Sequence, residues 1–383
     1  MRYHVPRAML ATMLAVLLGC SDSSDSNQPA PPPVPDNFNA ADASLEDFVA
    51  THPGFNGASL VVVDRQRGVV HRHFVGDYTP ETVVLLASTS KVPSASLLVA
   101  LAEDDDNVDF EMDRVIDQYL PWQGVWTGRT AEQLVSNTSG MPGLAHISGY
   151  EDHMCQYVPS GQLRECGRTI YQTPLDHLTS YPPGTHFEYG GSQWQLAGAL
   201  AEVVGGATWN QLFDQYIGEP CELEVFEYGN PLAGFASWTG DPDSLVGRAN
   251  PNIEGGAITN QSDYAKILLM HLNDGLCGER QVLSAQGAAA MREDRAWATG
   301  SVPGESPGYG MGWWVVPADA GMEPNLFIDP GAFGAVAWID TRRGYGGFMA
   351  IQSTTLADGS TAGGYGRGEL IPLVQAAYDA ARQ

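Results

Sequence analysis

The sequence predicts an α+β fold in which strands from both ends of the chain form one antiparallel sheet, flanked by helices, with a helical lobe inserted between them. Strand-like segments occur at residues 57–76 and again after residue 308, helical periodicity dominates the chain between them, and the C-terminus is amphipathic. The 383 residues are 43% hydrophobic, which is enough apolar material for a large core.

Residues 1–20 are predicted to be a lipoprotein signal peptide. MRYHVPR is positively charged, and the apolar run AMLATMLAVLLGC is too short to span a bilayer. The segment ends in Leu-Leu-Gly-Cys, which resembles a bacterial lipobox and would make Cys20 the site of lipid attachment. The alternative is an ordinary secretory signal with a chance cysteine. Both alternatives predict export, and the first predicts a periplasmic or outer-membrane-anchored lipoprotein.

Residues 21–43 are rich in Ser, Asp and Pro and are predicted to be a linker, because they offer almost nothing to bury. The folded domain is predicted to cover residues 44–383, with Ser44 capping a first short helix. Within this domain, residues 44–87 and 300–383 form the α/β part, and residues 88–299 form the mainly helical part.

The individual elements follow from periodicity and turn residues. GASLVVVDRQRGVVHRHFVG predicts two strands joined by a turn at residues 65–68, and YGMGWWVV, GAVAWID and GFMAIQ predict later strands. TAEQLVSNTSGMPG, SQWQLAGALAEVVGG and SDYAKILLMHLNDG have helical periodicity next to a Gly stop. ELIPLVQAAYDAARQ predicts a closing helix with one apolar face.

The net charge of −26 argues against two kinds of partner. Nucleic-acid phosphates need clustered Lys and Arg, and anionic lipids need a basic patch. We therefore expect no nucleic-acid partner and no membrane contact other than the N-terminal lipid.

Four cysteines remain besides Cys20, an even number in a chain expected to reach an oxidising compartment. Three pairings are possible, and we favour Cys155 with Cys166 and Cys221 with Cys277. No CxxC occurs and the histidines are scattered, so no metal site is expected.

Ser88 and Lys91 form the candidate catalytic pair. The chain has only two lysines, and one of them stands three residues after Ser88, just before an apolar helix. At a helix start this spacing places both side chains on one face. A serine is a poor nucleophile until a base takes its proton, and lysine becomes a base when burial lowers its pKa. We therefore expect Lys91 to be neutral; the alternative for the pattern is a capped helix with a surface lysine.

The surrounding motifs resemble the serine beta-lactamase-like superfamily, which includes class C beta-lactamases, DD-peptidases and the family VIII carboxylesterases. Ser88-Thr89-Ser90-Lys91 matches its SxxK motif. TAEQLVSNTSGMPG, PPGTHFEYGGSQWQLAGALAEVVGG and EGGAITNQSDYAKILLMHLNDG resemble three further family segments in the correct order. The resemblance covers most of residues 45–380 and implies an acyl-enzyme mechanism without metal or cofactor.

The resemblance also implies roles for individual residues. Ser88 would be the nucleophile and Lys91 its base, and Tyr189, which begins the equivalent of the YxN motif, would share the proton transfer. Asp329 and Gly331 match the KTG motif of the strand that lines the pocket, and the amides of Ser88 and Ala332 would form the oxyanion hole. The alternatives are an ordinary buried aromatic for Tyr189 and a simple turn for the third motif.

Two departures from the family pattern weaken an assignment as a beta-lactamase. Gly191 replaces the asparagine of YxN, and Asp329 with Pro330 replaces the cationic and hydroxyl residues of KTG. We expect Gly191, Asp329 and Gly331 to bind the substrate. An acidic Asp329 facing the substrate would repel the carboxylate of a beta-lactam.

We therefore predict an exported serine hydrolase that acts on small esters as a carboxylesterase. The alternatives are a D-amino-acid peptidase or amidase and a linear-oligoamide hydrolase of the same fold. A third alternative, from another class, is an inactive surface lipoprotein that binds peptidoglycan or a protein partner.

Overall fold

Both ends of the chain contribute strands to the main sheet. The computed structural model describes residues 33–35, 37–144, 151–175, 180–303 and 306–382, and those from Pro33 onward belong to one compact unit. In chain order, the strands are β1 (Gly57–Asp64), β2 (Gly68–Gly76), β3 (Val84–Leu85), β4 (Phe226–Tyr228), β5 (Ala257–Thr259), β6 (Leu276–Cys277), β7 (Arg280–Gln281), β8 (Gly308–Tyr309), β9 (Trp314–Val315), β10 (Leu326–Pro330), β11 (Val336–Asp340) and β12 (Tyr345–Ala350).

The α-helices are concentrated in the middle of the chain, with others at each end. They are α1 (Asn39–Thr51), α2 (Lys91–Ala102), α3 (Ala131–Val135), α4 (Leu163–Gln172), α5 (Ser192–Gly205), α6 (Trp209–Phe213), α7 (Gln261–Leu272), α8 (Ala285–Ala290), α9 (Leu356–Tyr365) and α10 (Ile371–Ala381).

The main sheet has the strand order β2-β1-β12-β11-β10-β9-β8, with antiparallel pairing throughout. The predicted α+β fold, with one antiparallel sheet from both chain ends, is therefore confirmed. The segment YGMGWWVV is not the single strand that was predicted. It contributes β9 and the last residue of β8, with a turn at Gly312, whose φ of +87° favours glycine.

Both faces of the sheet are covered, which is why strand β1 is buried along its whole length. Side chains alternate across a strand, so Leu60 and Val62 face the core formed with α1 and α10, whereas Val61 and Val63 face the larger core on the other side. The second face packs against α7 and the helical part of the chain. Because the sheet is packed on both faces, it holds strand β10 in position beside Ser88.

The helical part contains the buried helix α2, whose residues 91–101 are all buried. A helix that is buried on every side is a core helix, as the mainly apolar run VPSASLLVAL indicates. A small sheet, β3-β5-β4, packs in this part of the molecule and was not predicted. Its strands have two or three residues each, too few to show an alternating pattern.

The first helix begins earlier than predicted. Helix α1 starts at Asn39, so Ser44 lies inside it rather than at its cap. The Ser44 hydroxyl instead donates a 2.7 Å hydrogen bond to Glu369 near the C-terminus. The other predicted boundaries of the folded domain stay predictions.

The two disulfides join Cys155 to Cys166 and Cys221 to Cys277, which confirms the favoured pairing. Across the residues that the structure describes, no helix is long and apolar enough to span a bilayer. The predicted signal peptide and Cys20 lie outside the described residues.

Candidate active site

Ser88 lies in a 3₁₀ turn, Ala87–Ser90, that runs directly into helix α2. Ala87 has a φ of +47°, a conformation that costs an alanine about 1–3 kcal/mol and persists only where the surroundings enforce it. The turn is held by Thr89, whose hydroxyl donates to the Asp329 carbonyl at 3.0 Å and whose carbonyl accepts from Tyr264. Strand β10 and helix α7 therefore fix the position of the Ser88 hydroxyl.

Lys91 is completely buried and reaches back to Ser88. Its Nζ lies 3.0 Å from Ser88 Oγ, 3.0 Å from the Glu254 carbonyl oxygen and 3.1 Å from Glu254 Oε2. The structure therefore brings together the predicted nucleophile and base at hydrogen-bonding distance. It also adds an acidic residue that the motif analysis did not identify.

Tyr189 completes the group. Its ring centroid lies 4.6 Å from Lys91 Nζ, and its hydroxyl hydrogen-bonds with both Lys91 and Ser88. The ring stacks on Trp314 at 5.3 Å and meets Tyr309 edge-on at 5.9 Å, so the aromatic cluster orients the phenol. All three predicted catalytic side chains thus converge on one point.

The charge of Lys91 differs from the expectation. Burial lowers the pKa of Lys91, but Tyr189 and the Glu254 carboxylate raise it more, so the pKa lies above the ordinary value for lysine. These surroundings favour the charged amine and not the neutral amine that was expected. Burial also raises the pKa of Tyr189, with Lys91 partly opposing the shift, so the phenol keeps its proton.

Glu254 occupies the space beside Gly191. A Cβ on Gly191 would lie 2.1 Å from Glu254 Oε1 and 2.3 Å from Gln156 Oε1. Gly191 is therefore not a substrate-binding residue; it leaves room for the carboxylate next to Lys91. A sequence signal for Glu254 did exist, because a glycine at the asparagine position of YxN indicates that another side chain fills that space.

Asp329 does not face the substrate, contrary to the prediction. Its side chain is buried, 1% exposed, and Oδ2 accepts a 3.3 Å hydrogen bond from the Val92 amide at the start of helix α2. Burial raises the pKa of Asp329 well above its usual range, although Lys91 and the Val92 amide oppose this. Asp329 is thus a neutral group beneath the site, and it cannot repel a substrate carboxylate.

Gly331 lines the cavity in front of Ser88, as predicted. A glycine is needed there because of packing inside the protein and not because of the substrate. An added Cβ would lie 2.1 Å from the Leu86 carbonyl oxygen and 2.8 Å from Thr89 Oγ1. The missing side chain lets the end of β10 pack against the turn that carries Ser88.

Two cavities meet at Ser88. One of about 440 Å³ extends past Tyr189, Trp314 and Ile328 towards Arg367. The other, of about 310 Å³, has mainly apolar walls that include Met154 and Phe333, and Glu254 also lines it. Ala332 and Ser88 both border the two cavities. This arrangement can hold the two halves of an ester or amide on either side of the nucleophile.

The comparisons with known proteins agree with this geometry. The sequence profile of the Beta-lactamase family matches residues 42–367. The chain belongs to the beta-lactamase family.

Several relatives show how diverse this family is. Penicillin-binding protein 4 of Amycolatopsis lactamdurans is 25% identical over 335 residues, which cover 78% of this chain and 84% of the relative. A candidate beta-lactamase from Bacteroides dorei DSM 17855 has a structure that matches 90% of this chain and 99% of its own, with 25% identity and a TM-score of 0.69. EstCE1, a hydrolase with promiscuous acyltransferase activity, shares the fold at 18% identity and a TM-score of 0.67, with 90% and 98% coverage.

Members of this family are serine hydrolases, and this chain carries the matching serine and lysine. Among the residues that the structure describes, no group of three or more His, Cys, Asp or Glu could hold a metal ion.

Proposed function

We propose that this protein is an exported serine hydrolase whose preferred substrates are small carboxylic esters. The observation that carries the proposal is the 3.0 Å contact between Lys91 Nζ and Ser88 Oγ, with the Tyr189 hydroxyl bonded to both. Such a group can move a proton from a serine and return it to a leaving group.

The reaction has two halves. Ser88 Oγ attacks the carbonyl carbon, its proton passes to Lys91, and the carbonyl electron pair moves to the oxygen, which the amides of Ser88 and Ala332 stabilise. The tetrahedral intermediate collapses, and the leaving alcohol takes a proton through Tyr189 and Lys91. Water then attacks the acyl-enzyme in the same way and releases the acid and the free serine.

The preference for esters rests on the walls around Ser88. The smaller cavity is lined mainly by apolar side chains, which suits an acyl chain. Gly191 removes the side-chain amide with which the family holds substrate amides near the lysine. The charge argument against carboxylates, in contrast, has no support, because Asp329 is buried and neutral.

A D-amino-acid peptidase or amidase is the second candidate, and one observation favours it. Arg367 lies at the larger cavity with its side chain exposed, and a guanidinium suits the C-terminal carboxylate of a peptide. The similarity to a penicillin-binding protein points to the same class of substrate.

A substrate panel separates these candidates. The protein is incubated with p-nitrophenyl butyrate and, separately, with a peptide ending in D-Ala-D-Ala, and initial rates are compared. We expect ester hydrolysis to exceed peptide hydrolysis in kcat/KM; peptide turnover without ester turnover would reverse the order of the two candidates. An inactive binding protein would turn over neither.

We also propose that the chain is exported and lipid-anchored at Cys20. The two disulfides support export, because such bonds persist in oxidising compartments. Labelling of cells with radioactive palmitate tests the anchor, and the label should disappear in a Cys20→Ala variant.

A further inference from the structure

This inference rests on the proposed serine chemistry and concerns how a charged Lys91 can accept a proton from Ser88. A charged lysine has three N–H donors and no acceptor. Nζ donates to Ser88 Oγ at 3.0 Å and to the Glu254 carbonyl at 3.0 Å, hydrogen-bonds with the Tyr189 hydroxyl, and forms an ion pair with Glu254 Oε2 at 3.1 Å. An ammonium nitrogen has no lone pair with which to accept the proton of Ser88. Lys91 must therefore lose a proton before it can take the one from the serine.

The described groups around Lys91 differ in their capacity to take that proton. A carbonyl oxygen does not hold a proton at neutral pH, and Ser88 must itself lose one. Tyr189 and Asp329 already carry theirs, since burial raises the pKa of both. The Glu254 carboxylate, in contrast, is in direct contact with the ammonium.

We propose that Glu254 takes the proton that Lys91 must release, so that Lys91 can deprotonate Ser88. As Ser88 Oγ bonds to the carbonyl carbon, its proton moves to Lys91 Nζ, and a proton of Lys91 moves to Glu254 Oε2. When the leaving alcohol departs, it takes a proton from Lys91 through Tyr189. Glu254 then returns its proton to Lys91, which restores the ion pair and leaves the serine acylated.

The local structure suits a carboxylate that accepts and returns a proton. Oε1 is held by a 2.9 Å hydrogen bond from the Tyr157 hydroxyl, which leaves Oε2 directed at Lys91. The missing side chain of Gly191 provides the space, since a Cβ there would overlap Oε1. Gly191 thus leaves room for Glu254, and the carboxylate lies where the family pattern places the side-chain amide of an asparagine.

Glu254 also lies on the substrate side of the pair. It lines the smaller apolar cavity at Ser88, so an acyl chain in that cavity lies beside the carboxylate while Ser88 is attacked.

The test uses Glu254→Gln in the full-length protein, which keeps the shape of the side chain but cannot accept the proton. The measured quantities are the rate of the p-nitrophenol burst from p-nitrophenyl butyrate, which reports acylation, and its dependence on pH. The titratable groups that face the pair, Tyr157, Tyr189, Tyr309 and Asp329, are unchanged in the variant.

We expect the acylation rate at pH 7 to fall about 10²-fold, the usual size of a lost proton-transfer partner, with KM little changed. The remaining rate should increase with pH, because Lys91 then has to lose its proton to solvent. A wild-type rate at pH 7 would overturn the proposal. A faster rate would also overturn it, because it would mean that Glu254 only holds Lys91 in its charged form.

The matched control is Glu202→Gln. Glu202 is another buried carboxylate, paired with Arg164 and hydrogen-bonded to the Trp209 amide, and it lies at neither cavity at Ser88. This variant should acylate at the wild-type rate, which shows that loss of a buried carboxylate as such does not slow the reaction.

Gly191→Ala provides a second route if the glutamine variant does not fold. Its methyl group displaces the carboxylate without changing any charge, so acylation should slow while the denaturation midpoint stays measurable; an unchanged acylation rate would contradict the proposal. If the wild type itself turns over neither esters nor peptides, the proposed function fails. If the wild type gives a burst and both variants match it, only the role of Glu254 fails.

Discussion

Two buried carboxyl groups lie near Lys91, and they behave differently. Glu254, in the loop before β5, places Oε2 3.1 Å from the ammonium. Asp329, at the end of β10, contacts the Val92 amide instead, and burial raises its pKa well above the usual range. Both side chains are almost inaccessible to solvent. Direct contact with the cation, and not burial, therefore distinguishes the two groups.

The largest expected effect comes from replacing Lys91, the cation near both carboxyl groups. Lys91→Met keeps the volume of the side chain but provides neither base nor charge. We expect kcat/KM for the ester to fall by about 10²–10⁴-fold, the range for a lost general base. Stability should fall by about 3–5 kcal/mol, because Glu254 is left as an unpaired buried acid. Ester kinetics and urea denaturation measure the two effects.

The control for this variant is Lys266→Met. Lys266 is the other lysine of the chain and pairs with Asp263 at 2.9 Å at a partly exposed position. Its replacement should leave ester hydrolysis unchanged. Equal losses in the two lysine variants would contradict a special role for Lys91.

Double variants should distinguish Glu254 from Asp329 by the free energy with which each is coupled to Lys91, which is a smaller effect than the loss of Lys91 itself. In Lys91→Met with Glu254→Gln, the unpaired acid is also gone, so we expect a coupling of about 1–3 kcal/mol in the free energy of unfolding. Lys91→Met with Asp329→Asn should show a coupling at least about 0.5 kcal/mol smaller, because Asp329 bonds to the Val92 amide and forms no ion pair with Lys91. Urea denaturation of the single and double variants gives both couplings. Equal couplings would contradict the distinction between the acids.

The smallest expected effect is that of Asp329→Asn on activity. The wild-type aspartic acid is already neutral, so the ester rate should stay within about twofold, as for a change of 0.5 kcal/mol or less. Stability should depend on pH with a definite sign. Above the ordinary pKa of 3.8, the unfolded wild type releases a proton that the folded protein keeps, so the wild type loses stability relative to the variant as pH rises.

Urea denaturation midpoints of both proteins, measured between about pH 4 and about pH 8, test this sign. A wild type that instead gains on the asparagine variant as pH rises would mean that Asp329 is charged.

The sequence contained enough to predict the contacts made by side chains within named motifs. Ser88 and Lys91 meet because a spacing of three residues at a helix start allows little else, and Tyr189 meets them as its motif implies. The antiparallel sheet from both chain ends also followed from strand-like segments at each end. Charge states could not be read in this way, because the pKa of Lys91 depends on a carboxylate 163 residues away in the chain.

Asp329 illustrates a second limit. Side chains alternate between the two faces of a strand, so a shift of one position decides whether a residue faces a cavity or the interior. The motif match placed Asp329 in the correct strand, but not on the correct face. At Gly191, in contrast, the sequence held information that was not used. The missing side chain leaves a space beside Lys91, and Glu254 fills that space.

The central claim is that Ser88 is the nucleophile, and covalent labelling tests it most directly. The protein is treated with a fluorophosphonate probe, digested, and the modified peptide is identified by mass spectrometry, beside Ser88→Ala treated in the same way. We predict one adduct in the wild type, on Ser88, and none in the variant. An adduct on another residue, or equal labelling of the two proteins, would contradict the account.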